Sequence, residues 1–68
     1  MIFNFINPKI KKSTLTAIAH RIQNGEHRFY LGDYFYELNI LNNVVRRRKQ
    51  KQGYLPTSDW ESVAKITR

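Results

Sequence analysis

The chain has 68 residues, with 12 Lys and Arg against five Asp and Glu, a formal charge of +7 and a pI near 10.2. That length holds one domain over 1–68, and the absence of cysteine excludes disulfides and thiolate metal centres as staples. One small core must therefore hold the fold, alone or with help from a partner chain or ligand.

Nine aromatic residues, four Phe, four Tyr and one Trp, argue against disorder through the middle of the chain. A cationic excess of this size repels itself and points to a polyanionic partner: nucleic acid first, an anionic membrane or acidic protein surface next. No segment approaches the roughly 18 apolar residues of a membrane helix, and residues 1–8 lack the layout of a signal peptide. A chain without cysteine fits a reducing compartment. The expected setting is cytoplasmic, the host cytoplasm if the chain is viral.

In chain order, Ile2, Phe3, Phe5 and Ile6 alternate loosely as far as Pro8, which reads as a short edge strand or a packed tail. Lys9, Lys11 and Lys12 follow, either as an arm along a phosphate backbone or as solubilising residues beside an apolar terminus. Ser13 reads as the N-cap of a helix over about 13–24, with Leu15, Ile18, Ala19 and Ile22 as its apolar stripe and Asn24-Gly25 as its stop. Residues 26–31 form a connector whose Phe29, Tyr30 and Leu31 turn into the core.

Gly32-Asp33 reads as a turn followed by an N-cap. From there Tyr34, Leu38, Leu41 and Val45 recur at helical spacing, broadened by Tyr30, Phe35, Ile40 and Val44. One helix over 33–52, or two helices parted near Leu38-Asn39-Ile40, fits the pattern. Gly53 and Pro56 end it. Ser58 and Glu61 have capping-box spacing, which predicts a last helix over 59–67 with Trp60, Val63, Ala64 and Ile66 inward. The expected fold is mainly α, a compact domain of three or four helices with a short N-terminal strand or small wing.

The densest signal is Arg46-Arg47-Arg48-Lys49-Gln50-Lys51, five cations in six residues. Two or three cations suit a helix C-terminus, where the macrodipole favours them. Five exceed that need, and phosphate contacts account for the surplus. A guanidinium fork grips phosphate oxygens in pairs or reaches guanine edges. Asn39, Asn42 and Asn43, poor helix-interior residues, read either as side chains near bases and backbone or as plain turn residues.

Leu38-Asn39-Ile40, then Val44-Val45-Arg46-Arg47-Arg48, then Gly53-Tyr54-Leu55, together with Thr14-Leu15-Thr16 upstream, resemble a winged helix-turn-helix of the small phage or mobile-element type over 13–56. Asn39 stands where the family has a turn glycine, and Gly32-Asp33 shortens the second helix to about 33–38. The resemblance implies a recognition helix over 41–52, a truncated wing over 53–57 and a role in transcription regulation.

The aromatic cluster Phe29-Tyr30 with Tyr34-Phe35-Tyr36 reads as core, with a stacking platform for unpaired bases as the alternative and Tyr36 as its most exposed member. Trp60 carries the same two readings, with core preferred. His20 and His27 lack the neighbours of a metal site, and the five acids are scattered, so no catalysis, metal or cofactor is expected. The expected function is binding of nucleic acid, duplex DNA before RNA, through Asn42, Asn43, Arg46, Arg47, Arg48, Lys49, Lys51 and Lys12. A homodimer or a helper protein would extend its specificity. The rivals are a small phage-encoded inhibitor docking its basic face on a host complex, and an RNA- or ribosome-binding protein.

Overall fold

The computed structural model describes residues 2–67; Met1 and Arg68, the two ends of the expected domain, lie outside the described residues. In chain order the elements are β1 (Ile2–Ile6), α1 (Lys12–Gln23), β2 (Arg28–Leu31), β3 (Tyr34–Asn39), β4 (Val44–Lys49) and β5 (Glu61–Thr67). All strand pairings are antiparallel, in the order β1-β5-β4-β3-β2. β1 and β2 form the two edges, and α1 carries the chain from one edge to the other. The fold is thus a five-stranded sheet with one helix, not the expected three- or four-helix domain.

Turn chemistry explains the difference. Two aromatic runs, Phe29-Tyr30-Leu31 and Tyr34-Phe35-Tyr36, flank the two-residue turn Gly32-Asp33, the arrangement of a tight hairpin. Gly32 has φ 59°, which a type II′ turn requires at its first central residue. Asp33 therefore caps no helix; its carbonyl accepts from the Gln50 N–H at 3.0 Å.

The second turn spans residues 40–43. Asn39 and Asn42 accept the Leu41 and Val44 N–H groups at 2.9 and 3.1 Å, and Asn43 sits at φ 58°. Asparagine suits both tasks, because its amide oxygen mimics a backbone acceptor and it tolerates the left-handed region. The recognition helix expected over 41–52 is therefore a turn plus strand β4.

The last predicted helix is strand β5. Its expected capping pair serves the sheet instead: the Ser58 hydroxyl accepts from the Lys49 N–H at 2.8 Å, and Glu61 binds Arg47 at 2.9 Å. Residues 53–57, the expected wing, belong to the long β4–β5 connection, where Thr57 N–H donates to the Lys49 carbonyl at 2.8 Å.

The first helix begins one residue before the expected cap, with Lys11 in extended backbone and no side-chain capping bond, so Ser13 is not its N-cap. Ile18 and Ile22 of α1, with Ile10 before it, bury themselves against Phe29, Tyr36, Leu38, Val45, Val63, Ala64 and Ile66. A bulge lets β5 contribute two consecutive residues: Val45 faces Ala64, Arg46 faces Ser62, and the extra Val63 is buried too. Tyr36, expected outside, is 2% exposed within this core, whereas Leu41, expected inside, is 92% exposed in the second turn.

Candidate nucleic-acid interface

Because side chains on a strand alternate between faces, β4 divides the basic run. Arg47 turns to the helix side with Val45, while Arg46 and Arg48 turn to the other side.

On the helix side, the Arg47 guanidinium lies 3.8 Å from the Tyr34 ring centroid, donates to the Tyr36 hydroxyl at 3.1 Å and to Glu61 at 2.9 Å. Its side chain is 12% exposed. Burial by itself would lower its pKa, but the hydrogen bonds to Tyr36 and Glu61 and their charges outweigh that and hold it above the ordinary arginine value. Its Nε and one terminal nitrogen are engaged inside the fold, and the side chain borders a hollow on the helix side. Arg47 thus helps to hold the fold and lies on the helix side, apart from Arg46 and Arg48.

The other side carries a different surface. Residues directly opposite one another share a face, so the pairings define three rows. Arg28, Glu37, Arg46 and Ser62 form one. Tyr30, Phe35 and Arg48 form the second, with Trp60 beside Phe35 at 6.1 Å between ring centroids. Asn39, Val44, Lys65 and Phe5 form the third. The helix packs on the opposite face, and among the described residues no other helix covers this one.

Glu37 is the one acid in these rows and binds two arginines, Arg46 at 2.6 Å and Arg28 at 3.1 Å. Arg48 meets no carboxylate among the described residues; its Nε donates to the Gln50 amide oxygen at 3.0 Å. Lys65 is exposed. Four cations against one carboxylate leave three positive charges on this face.

The aromatic rings adjoin that charge. Tyr30 and Phe35 lie 4.7 Å apart, and the guanidinium carbons of Arg46 and Arg48 lie 4.1 and 4.4 Å from the Trp60 centroid. Trp60, expected in the core, is a half-buried member of this surface. Such guanidinium–indole stacks are attractive and keep the donors at the guanidinium rim available.

The other expected binding residues are dispersed. Lys49 ends β4 exposed at the rim, and Lys51 lies in the next connection, 3.8 Å from Asp33. Asn42 and Asn43 occupy the turn at the opposite end of β3 and β4. Lys12 opens α1 on the helix side, and Lys9 and Lys11 border a hollow there with Tyr34 and Arg47. Of the predicted set, only Arg46 and Arg48 share the uncovered face. Arg28 and Lys65 lie outside the predicted set, whereas Tyr30, Phe35 and Trp60 carry core and stacking platform as alternative readings; the period-two alternation of Tyr34 to Leu38 is the signal that separates the two faces of the aromatic cluster.

Among the described residues no group of His, Asp and Glu is placed to hold a metal, and no helix is long and apolar enough to cross a membrane. No protein-family model, curated protein or solved structure matches this chain, so its own residues carry the functional reading.

Proposed function

We propose that this protein is a nucleic-acid-binding module, not an enzyme, and that the uncovered face of its sheet is the binding surface. The observation that carries this reading is the company that Arg48 keeps: unpaired with any described carboxylate, it shares a face with Arg28, Arg46 and Lys65 and lies beside the rings of Phe35 and Trp60. Local ion pairs occupy Glu26, Glu37, Glu61 and Asp33, yet a formal charge of +7 remains. Phosphates are the counter-charge that such a surface accommodates, and releasing their counterions drives association. A cytoplasmic setting fits a cysteine-free chain with this ligand.

The test is a binding titration with labelled oligonucleotides at several salt concentrations. Three or four phosphate contacts predict a slope of log affinity against log salt of about −2 to −4. The double variant Arg48→Glu/Lys65→Glu should bind at least tenfold more weakly while folding normally. Binding that is absent in dilute buffer, or indifferent to salt, ends this reading.

A second reading, a protein that docks on a partner protein, is favoured by exposed apolar side chains at both ends of the sheet. Leu41 is 92% exposed in the β3–β4 turn, and Leu55 is 86% exposed in the β4–β5 connection. That reading predicts that Leu41→Asp abolishes partner binding, whereas oligonucleotide binding on the open face is unaffected by it.

A further inference from the structure

We infer that the nucleic acid taken by this face is single-stranded, with unpaired bases lying on the row formed by Tyr30, Phe35, Arg48 and Trp60. The inference rests on the function proposed above and adds what the surface shape selects.

Width is the first argument. Four strand spacings at about 4.8 Å make a five-stranded sheet roughly 19 Å across. A duplex major groove is about 12 Å wide and admits a helix or a two-stranded ribbon. With α1 on the opposite face, the open side has no helix to send into a groove, and its rows lie in the middle of the sheet on β3, β4 and the start of β5. A duplex meeting this face presents phosphates alone. Its bases stay stacked on one another, out of reach of the rings.

Composition is the second argument. Phosphate binding needs cations, and a surface selected for duplex backbone has no use for half-buried rings facing away from the core. Here Tyr30–Phe35 at 4.7 Å and Phe35–Trp60 at 6.1 Å form a continuous aromatic track across strands β2 and β3 to the start of β5. Bases stack on such rings whatever their identity, because each base has a π-face.

The charges are arranged around that track. Arg46 is committed to Glu37 through Nε at 3.0 Å and a terminal nitrogen at 2.6 Å. Arg48, whose guanidinium lies 6.0 Å from the Phe35 centroid and 4.4 Å from that of Trp60, keeps its terminal nitrogens for a phosphate or for stacking on a base. Arg28 lies one row from the track and Lys65 two rows, both toward the β3–β4 turn, and they suit the backbone along that side.

Trp60 is the single tryptophan of the chain, so its fluorescence reports on the track directly. The experiment titrates the full-length protein with oligothymidylate, with oligouridylate and with a duplex of equal length in one buffer. The expected result is strong quenching of Trp60 by the single strands and at least tenfold tighter binding of them than of the duplex. Phe35→Leu keeps apolar bulk without a ring, and it should weaken single-strand binding about tenfold while leaving duplex binding unchanged. Phe35→Ala should do the same, with circular dichroism to check that it folds. If the duplex binds equally well or better, or Trp60 emission ignores the single strand, this inference is overturned and phosphate binding by the face survives. If no polynucleotide binds at all, the function proposed above falls and takes this inference with it.

Discussion

Arg47 shows how little a residue's charge says about its role until its direction is known. Arg46, Arg47 and Arg48 are identical in type and consecutive in sequence, yet the middle one stacks on Tyr34 and bonds Tyr36 and Glu61 while its neighbours face the open side. Glu61 is 37% exposed and stays solvated without its partner, so Arg47→Ala loses mainly the stack on Tyr34 and the bond to Tyr36 and should lower stability by about 1–2 kcal/mol in a denaturant melt. Arg47→Lys should recover only part of it, since an ammonium lacks the planar fork that reaches Tyr36 and Glu61 together. Arg48→Ala removes no charge pair among the described residues and should stay within about 0.5 kcal/mol while weakening polyanion binding. A similar contrast separates two leucines. Leu38→Ala, a core truncation, should cost about 2–5 kcal/mol, whereas Leu41→Ala, at an exposed turn position, should leave the midpoint nearly unchanged.

Elements made from such residues depend on punctuation more than on apolar spacing. Tyr34 and Leu38 are four apart, which satisfies a helix face and also the second repeat of a strand face. Leu41 completed the helical pattern by accident, because it sits in a turn and packs on nothing in the core. The first helix was legible because Leu15, Ile18 and Ile22 cannot share one face of a strand, and the N-terminal edge strand was read as one of two options. The hairpin was equally legible at Gly32-Asp33 between aromatic runs, but reading Asp33 as a helix cap concealed it. For the site, the cationic cluster was visible and its division between two faces was not, since that division follows from strand period alone. The turns give the element-scale test. Gly32 at φ 59° tolerates no Cβ without strain, so Gly32→Val should cost about 1–2 kcal/mol although open space surrounds the position. Asn43 at φ 58° should accept Gly with almost no loss. Equal melting midpoints for the parent and Gly32→Val would contradict the turn assignment.

At the scale of the whole molecule, stability and binding draw on the same charge. A domain of this length is stable by about 3–10 kcal/mol, and an excess of seven positive charges reduces that by self-repulsion. Ligand binding works in the other direction: at a concentration one hundred times Kd it adds about 2.7 kcal/mol, which for so small a domain raises Tm by roughly 10–20 °C. Salt should act on the two melts with opposite signs. In the free protein it screens repulsion among exposed lysines and arginines and raises Tm. In the complex it restores counterion competition, weakens binding and lowers Tm. The difference between the free and bound melting temperatures should therefore shrink from both sides as salt rises. Ile18→Ala extends the test, because truncating that buried contact with the sheet costs a large share of the total and leaves the free domain partly unfolded. Excess oligonucleotide in dilute buffer should return it to the native circular dichroism spectrum, and added salt should reverse the rescue. A gap between the two melts that stays constant with salt would mean that the positive charge serves something other than a polyanion.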